Sequence, residues 1–340
     1  MRLLGFLVLN AFVGAASCSK KRLIIDTDLL SFDDDPLAIG LSGILQNWGQ
    51  VELIGVMSSE SSRYIPPAID AINTFFGYPE IPIAIQKPVT NLTRRPESPE
   101  FGPYIVGLTY NFTEDIRDGT NTPDPVSSYR YLLSTSADSS ITLAVIGYFD
   151  NVFHLLNSGP DQISPYTGAE LLASKVRELV VQANDVGYSF NTNMHNETFA
   201  QKVLNWWPGK LTFAWDGVGE NTVLGTRITT ELDVTKNPLG YALRANIGYG
   251  QKFSVWDATA VYYAVCGLDD VFRWKYPHGG RVSVNASAFA TWENGTAAKP
   301  GLQNSLEFKV PNTTFSARLE NTLLWEPGQR IPYKRLWCNN

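Results

Sequence analysis

Five aspartates, Asp26, Asp28, Asp33, Asp34 and Asp35, crowd into ten residues just after the apolar run Leu23-Ile24-Ile25. That run reads as a short buried strand, and strand alternation sends Asp26 and Asp28 out from one face. Asp34 and Asp35 stand just before an apolar stretch that begins at Leu37. There a loop turns into a helix, and free backbone N–H groups favour anions. Carboxylates this close repel one another unless protons or a cation intervene. A hard, oxygen-seeking ion, Ca²⁺ or Mg²⁺, is the natural partner. Asp34 taken singly reads as a helix cap.

The elements that must position these groups follow from the hydrophobic pattern. Helical signals at 37–46 give way to a strand at 51–57, a helix at 68–76 and a strand at 81–85. Then come a helix around 129–133 and buried strands at 141–146 and 179–182. Strands alternating with helices imply right-handed crossovers and an α/β fold: an open, mostly parallel, Rossmann-like sheet flanked by helices. Ligands of such sheets gather beyond the carboxyl ends of the strands, where Asp26 and Asp28 lie. Residues 279–340 carry strand-like runs at 281–284 and 306–310, expected to form an accessory layer over the core. No linker, repeat or low-complexity tract divides 18–340, which reads as one domain.

Residues 1–17 combine Arg2, an apolar run and the small residues Gly14-Ala15-Ala16-Ser17, the pattern of a secretory signal peptide. The run is too short to span a bilayer. Asn-x-Ser/Thr sequons at Asn91, Asn111, Asn196, Asn285, Asn294 and Asn312 agree with export and glycosylation. Cys18, Cys266 and Cys338 lack zinc-ligand or redox spacing, and Cys266 with Cys338 is the expected disulfide because Cys18 adjoins the cleavage point. The net charge of -6 argues against nucleic acid, whose binding rests on Lys and Arg contacts to phosphate. The expected partner is a small neutral molecule, with no membrane; a homo-oligomer is left open. No Gly-x-Gly-x-x-Gly or Walker loop suggests a nucleotide cofactor.

The acidic segment resembles the signature of the inosine-uridine preferring nucleoside hydrolases, in which Asp-x-Asp is followed by Asp-Asp and a small-residue helix start. Here Leu29-Leu30-Ser31-Phe32-Asp33 replaces a shorter Pro-Gly turn, so Asp34 and Asp35 match the paired carboxylates and Asp33 is extra. Further segments extend the likeness to about Asp270. Residues 141–151 are similar to the strand and loop whose backbone carbonyl, here that of Ile146, ligates the metal. Residues 180–191 resemble the loop that reaches the ribose, with Asn191 matching its last Asn, Asn184 an earlier one, and Ser189 standing where Glu is usual. Ser254-Val255-Trp256-Asp257 puts a carboxylate at the head of an apolar helix; on its own Asp257 reads as an N-cap.

The resemblance implies a Ca²⁺ held by Asp28, Asp35, Asp257 and the Ile146 carbonyl. It implies catalysis by Asp28 as general base with Asp257 closing the cage, and substrate contacts from Asp34, Asn184, Asn191 and Trp256. Trp256 replaces the His of inosine-uridine preferring members, as in purine-preferring ones, and its indole suits a bicyclic base. The implied activity is hydrolysis of purine ribonucleosides to base and ribose. Two rivals remain: a nucleoside-binding protein of the same fold without turnover, and a phosphatase of haloacid-dehalogenase type, which also opens on Asp-x-Asp. The phosphatase pattern gives Asp33, Asp34 and Asp35 no work.

Overall fold

The computed structural model describes residues 20–30, 34–96, 104–112, 114–332 and 338. The proposed signal peptide, Asp33 and Cys18 lie outside them. The strands are β1 (Lys21–Thr27), β2 (Val51–Ser58), β3 (Ile83–Ile85), β4 (Ile141–Val145), β5 (Val176–Val181), β6 (Lys210–Phe213), β7 (Val223–Leu224), β8 (Phe253–Ser254), β9 (Phe272–Trp274), β10 (Gly280–Val284), β11 (Ala290–Asn294) and β12 (Gln303–Phe308). One sheet runs β3-β2-β1-β4-β5-β6-β12-β10-β11, with β9 attached to β12. From β3 to β12 every pairing is parallel. Strand order reverses between β1 and β4. The crevice at such a switch point, beyond the strand ends, is where this architecture binds ligands.

Helices cover both faces, so the central strands are apolar on both sides. Leu23 and Ile25 enter one core with the Asp34–Asn47, Ile65–Phe75, Asp257–Cys266 and Asn312–Leu323 helices. Ile24 enters the other, under Pro125–Ser134, Asp150–Leu156 and Glu197–Trp206. The α/β expectation holds, and each predicted strand and helix named above appears within a few residues of its predicted place.

The C-terminal part differs from expectation. β12 hydrogen-bonds in parallel to β6, and β10 and β11 continue outward antiparallel, so the region widens the sheet at its edge instead of lying over it. The unsatisfied edge of the short β6 explains this: its N–H and C=O groups need a partner strand. Cys266, the last residue of its helix, is joined to Cys338. The sequon asparagines all lie on the surface, five exposed and Asn312 half-buried. Among the described residues, no helix is long and apolar enough to cross a membrane.

Candidate metal and substrate site

β1 ends at Thr27, one residue before the second aspartate of the motif. Alternation therefore governs Asp26 but not Asp28, and the two do not share a face as expected. Asp26 is fully buried, accepting from Tyr129 Oη at 2.7 Å and Asn151 Nδ2 at 2.9 Å. Burial pushes its carboxyl up to about 8 despite those donors. Asp28, turned by the loop, points into the crevice instead.

A cavity of about 350 Å³ opens there, lined by Asp28, Asp34, Asp35, Ile146, Asn191, Trp256 and Asp257, together with Gln182, Phe190, Asp216 and Glu220. Asp28, Asp35 and Asp257 each present a carboxylate oxygen within 4.8 Å of the others, and all three are buried. They come from the β1 exit and from the starts of two helices that pack on each other. Thr27 Oγ1 donates to Asp35 Oδ1, fixing the first helix start to the strand. Asp34 Oδ2 accepts the backbone N–H groups of Trp256 at 2.9 Å and Asp257 at 3.0 Å. The capping role of Asp34 is real, but the helix it caps begins 223 residues later in the chain. Its other oxygen remains for a ligand.

The electrostatics describe a cage short of positive charge. Burial raises Asp34 to about 6 and Asp35 and Asp257 well above the usual carboxylate range, with the charges of neighbouring aspartates adding to the last two. Asp257 is 5% exposed, and its carboxylate accepts no hydrogen bond from any described residue. A buried, unpartnered carboxylate facing two others fits a divalent cation bound through oxygen. The Asp257 N-cap alternative fails, since that residue is inside the helix and caps nothing by its side chain.

The Ile146 carbonyl is at the end of β4, beside Asp28. Ile146 and Gly147 both donate their N–H to the Asp26 carbonyl, at 2.8 and 3.0 Å, which carries the β1–β4 pairing one step past the ladder. Gly147 must be glycine: a Cβ there would lie 2.4 Å from the Asp28 backbone nitrogen. Gly147→Ala is therefore expected to push the strand ends apart and weaken divalent-ion affinity about 5- to 100-fold, from ~1–3 kcal/mol of overpacking. Calorimetric titration with CaCl₂ against the unaltered protein measures it.

The ribose-loop expectations divide. Asn191 lines the cavity, with Nδ2 donating to Ile146 O at 2.7 Å and Gln182 Oε1 at 2.8 Å. It thus orients the carbonyl and leaves Oδ1 for a ligand. Asn184, expected to touch substrate, is not in the lining. Its Nδ2 donates to Asp216 Oδ2 at 2.6 Å and its Oδ1 accepts Asp216 N–H at 3.0 Å, so it braces an aspartate that does line the cavity. Ser189 is buried against Thr192 at 3.1 Å and does not line the cavity. Gln182, Phe190, Asp216 and Glu220 were not singled out from sequence. Gln182 was detectable as the residue ending a strand; Asp216 follows β6, too short to read from its pattern. Trp256 lies close over the Asp216–Glu220 helix, where only Gly219 permits the approach, since a Cβ would meet the indole at 2.2 Å.

No family model matches the sequence, and no curated protein does. Solved structures do. A plant nucleoside hydrolase superposes with a TM-score of 0.64 over 90% of this chain and 99% of its own, at 14% identity. The type III effector protein XopQ, complexed with adenosine diphosphate ribose, gives 0.62 over 90% and 93%, at 13% identity. An inosine-uridine preferring nucleoside hydrolase from Bacillus anthracis gives 0.59 over 89% and 99%, at 13% identity. At such identities the likeness shows a common fold.

Proposed function

We propose that this protein is a secreted, Ca²⁺-dependent nucleoside hydrolase that cleaves the N-glycosidic bond of purine ribonucleosides. The observation that carries the reading is the meeting of Asp28 and Asp35 with Asp257, from a distant part of the chain, in a switch-point cavity that Trp256 also lines. Fold neighbours that are nucleoside hydrolases support it. The sequons and the Cys266–Cys338 bond support an oxidising, extracellular location.

Asp28, Asp35, Asp257 and the Ile146 carbonyl would hold the ion. When bound it would supply Lewis acidity toward a water and the ribose diol. Asp28 takes a proton from the attacking water as the glycosidic electron pair departs with the base. Asp34 accepts from the 2'-hydroxyl through its uncommitted oxygen, and the clustered carboxylates favour the oxocarbenium-like sugar. Asn191 orients the ribose through Oδ1. Trp256 stacks on the purine, whose ring nitrogen is protonated from solvent. Incubation with inosine, guanosine, adenosine and uridine, with and without EDTA, tests the assignment; full activity in chelator would defeat it.

Trp256→Ala is expected to raise KM for inosine about 5- to 100-fold, from ~1–3 kcal/mol of lost stacking. Uridine, with less ring to stack, loses less; equal losses would place the base elsewhere. One observation favours binding without turnover: the Ser189 hydroxyl faces Thr192 instead of the cavity. Calorimetric binding of inosine with no hypoxanthine released would establish that reading.

A further inference from the structure

Arg95 reaches the cage from behind. Its side chain is 1% exposed and is not part of the cavity lining. Nη2 donates to Asp28 twice, to the backbone carbonyl at 2.6 Å and to Oδ2 at 2.5 Å. Nε donates to Glu60 Oε1 at 3.1 Å, so a buried carboxylate on the β2 exit anchors the guanidinium. Its planar end stands over Tyr148 and Phe190, 5.2 and 5.5 Å from their ring centroids. Resting on the nucleosidase reading, we propose that Arg95 is a positioning residue for Asp28. It holds one carboxylate oxygen and the adjoining main chain, so that the other oxygen alone faces ion and water.

The arrangement follows from what each partner can do. A fork with fixed N–H directions sets both the rotamer and the backbone of Asp28, which a point charge on a flexible stem does not. A cation beside the cage also lessens repulsion among its carboxylates while no ion is bound. The same cation opposes a divalent ion a few ångströms away. Arg95 therefore favours catalytic geometry at the expense of ion affinity, and those two effects carry opposite signs. A side chain that merely supported the fold would move both in one direction.

The experiment compares R95Q and R95K with the unaltered protein, reading CaCl₂ affinity by calorimetry and inosine turnover in saturating calcium. R95Q is expected to bind calcium at least about tenfold more tightly while kcat falls on the order of 10²-fold, the usual consequence of a misplaced reacting group. KM for inosine should change less than about threefold, because Arg95 does not line the cavity. R95K keeps the charge and loses the fork, so calcium affinity stays within about threefold of the unaltered protein while kcat still falls. Either variant with kcat within about threefold of the unaltered protein would overturn the proposal, as would calcium affinity falling together with kcat. If R95Q does not fold, R95K decides. Should the unaltered protein turn over no nucleoside, the nucleosidase reading fails separately, and calcium titration still judges the clamp: tightening in R95Q but not R95K supports it, weakening in both defeats it.

Discussion

Asp28→Asn is expected to lower inosine hydrolysis by on the order of 10³-fold while leaving the fold intact, since a positioned general base contributes about 10² to 10⁴. The substitution keeps shape and keeps an oxygen for Arg95, which donates to Asp28 Oδ2. It removes the negative charge and the proton-accepting oxygen. Asp257→Ala separates the ion from the base. The Asp257 carboxylate accepts no hydrogen bond from a described residue, and its backbone N–H keeps its bond to Asp34 in the variant, so removing the side chain strands nothing and relieves repulsion within the cage. The expected result is a protein at least as stable in EDTA as the unaltered one, with calcium affinity weakened by about 10²-fold or more. Calorimetric calcium titration and melting curves with and without EDTA measure both. Unchanged calcium binding in Asp257→Ala would remove the three-carboxylate cage from the account of the site.

In EDTA the folded protein should lose stability as pH rises from about 4 to 8, opposite to the usual behaviour of a carboxylate-rich protein. Unfolded aspartates titrate near 3.9. In the fold, burial holds Asp34 at about 6 and Asp26 at about 8, and Asp35 and Asp257 are displaced in the same direction. Between those limits the folded state binds more protons than the unfolded one, so the derivative of unfolding free energy with pH is negative. The contribution of these groups is fully present below about 4 and is lost as pH rises through their folded values. Asp26 alone accounts for on the order of 5 kcal/mol across that range. Excess calcium should offset the cage's share at neutral pH, by about 4 kcal/mol at a thousandfold excess over Kd. It should leave the share of Asp26, which faces Tyr129 and Asn151 outside the cavity. Tm measured from pH 4 to 8 in EDTA and in calcium tests this; a Tm that climbs with pH in EDTA contradicts it.

How far the site was legible depended on the kind of residue. Asp28 and Asp35 stood out because an acidic run between a strand end and a helix start announces itself in the hydrophobic pattern, whereas Ile146 and Asp257 entered only through the resemblance to nucleoside hydrolases; the fold brings all four to one cavity. Asn184 does not line the cavity because a loop residue's direction depends on its hydrogen bonds, here to Asp216, which its type and spacing do not reveal. Arg95 and Glu60 gave no signal, each being a charged residue on an irregular segment. Their burial against Asp28 arises only from tertiary packing.

By itself the chain determined the alternation of strands and helices, hence a parallel sheet, and it placed an acidic loop at a strand's carboxyl end. Period and composition are local properties, and local propensity suffices to express them. Only the tertiary structure decided that Asp26 and Asp28 part company, that Asp34 caps a helix begun by Asp257, and that the last strands extend the sheet sideways. Those outcomes depend on which hydrogen-bonding groups meet across hundreds of residues, and a backbone must be folded before such partners exist.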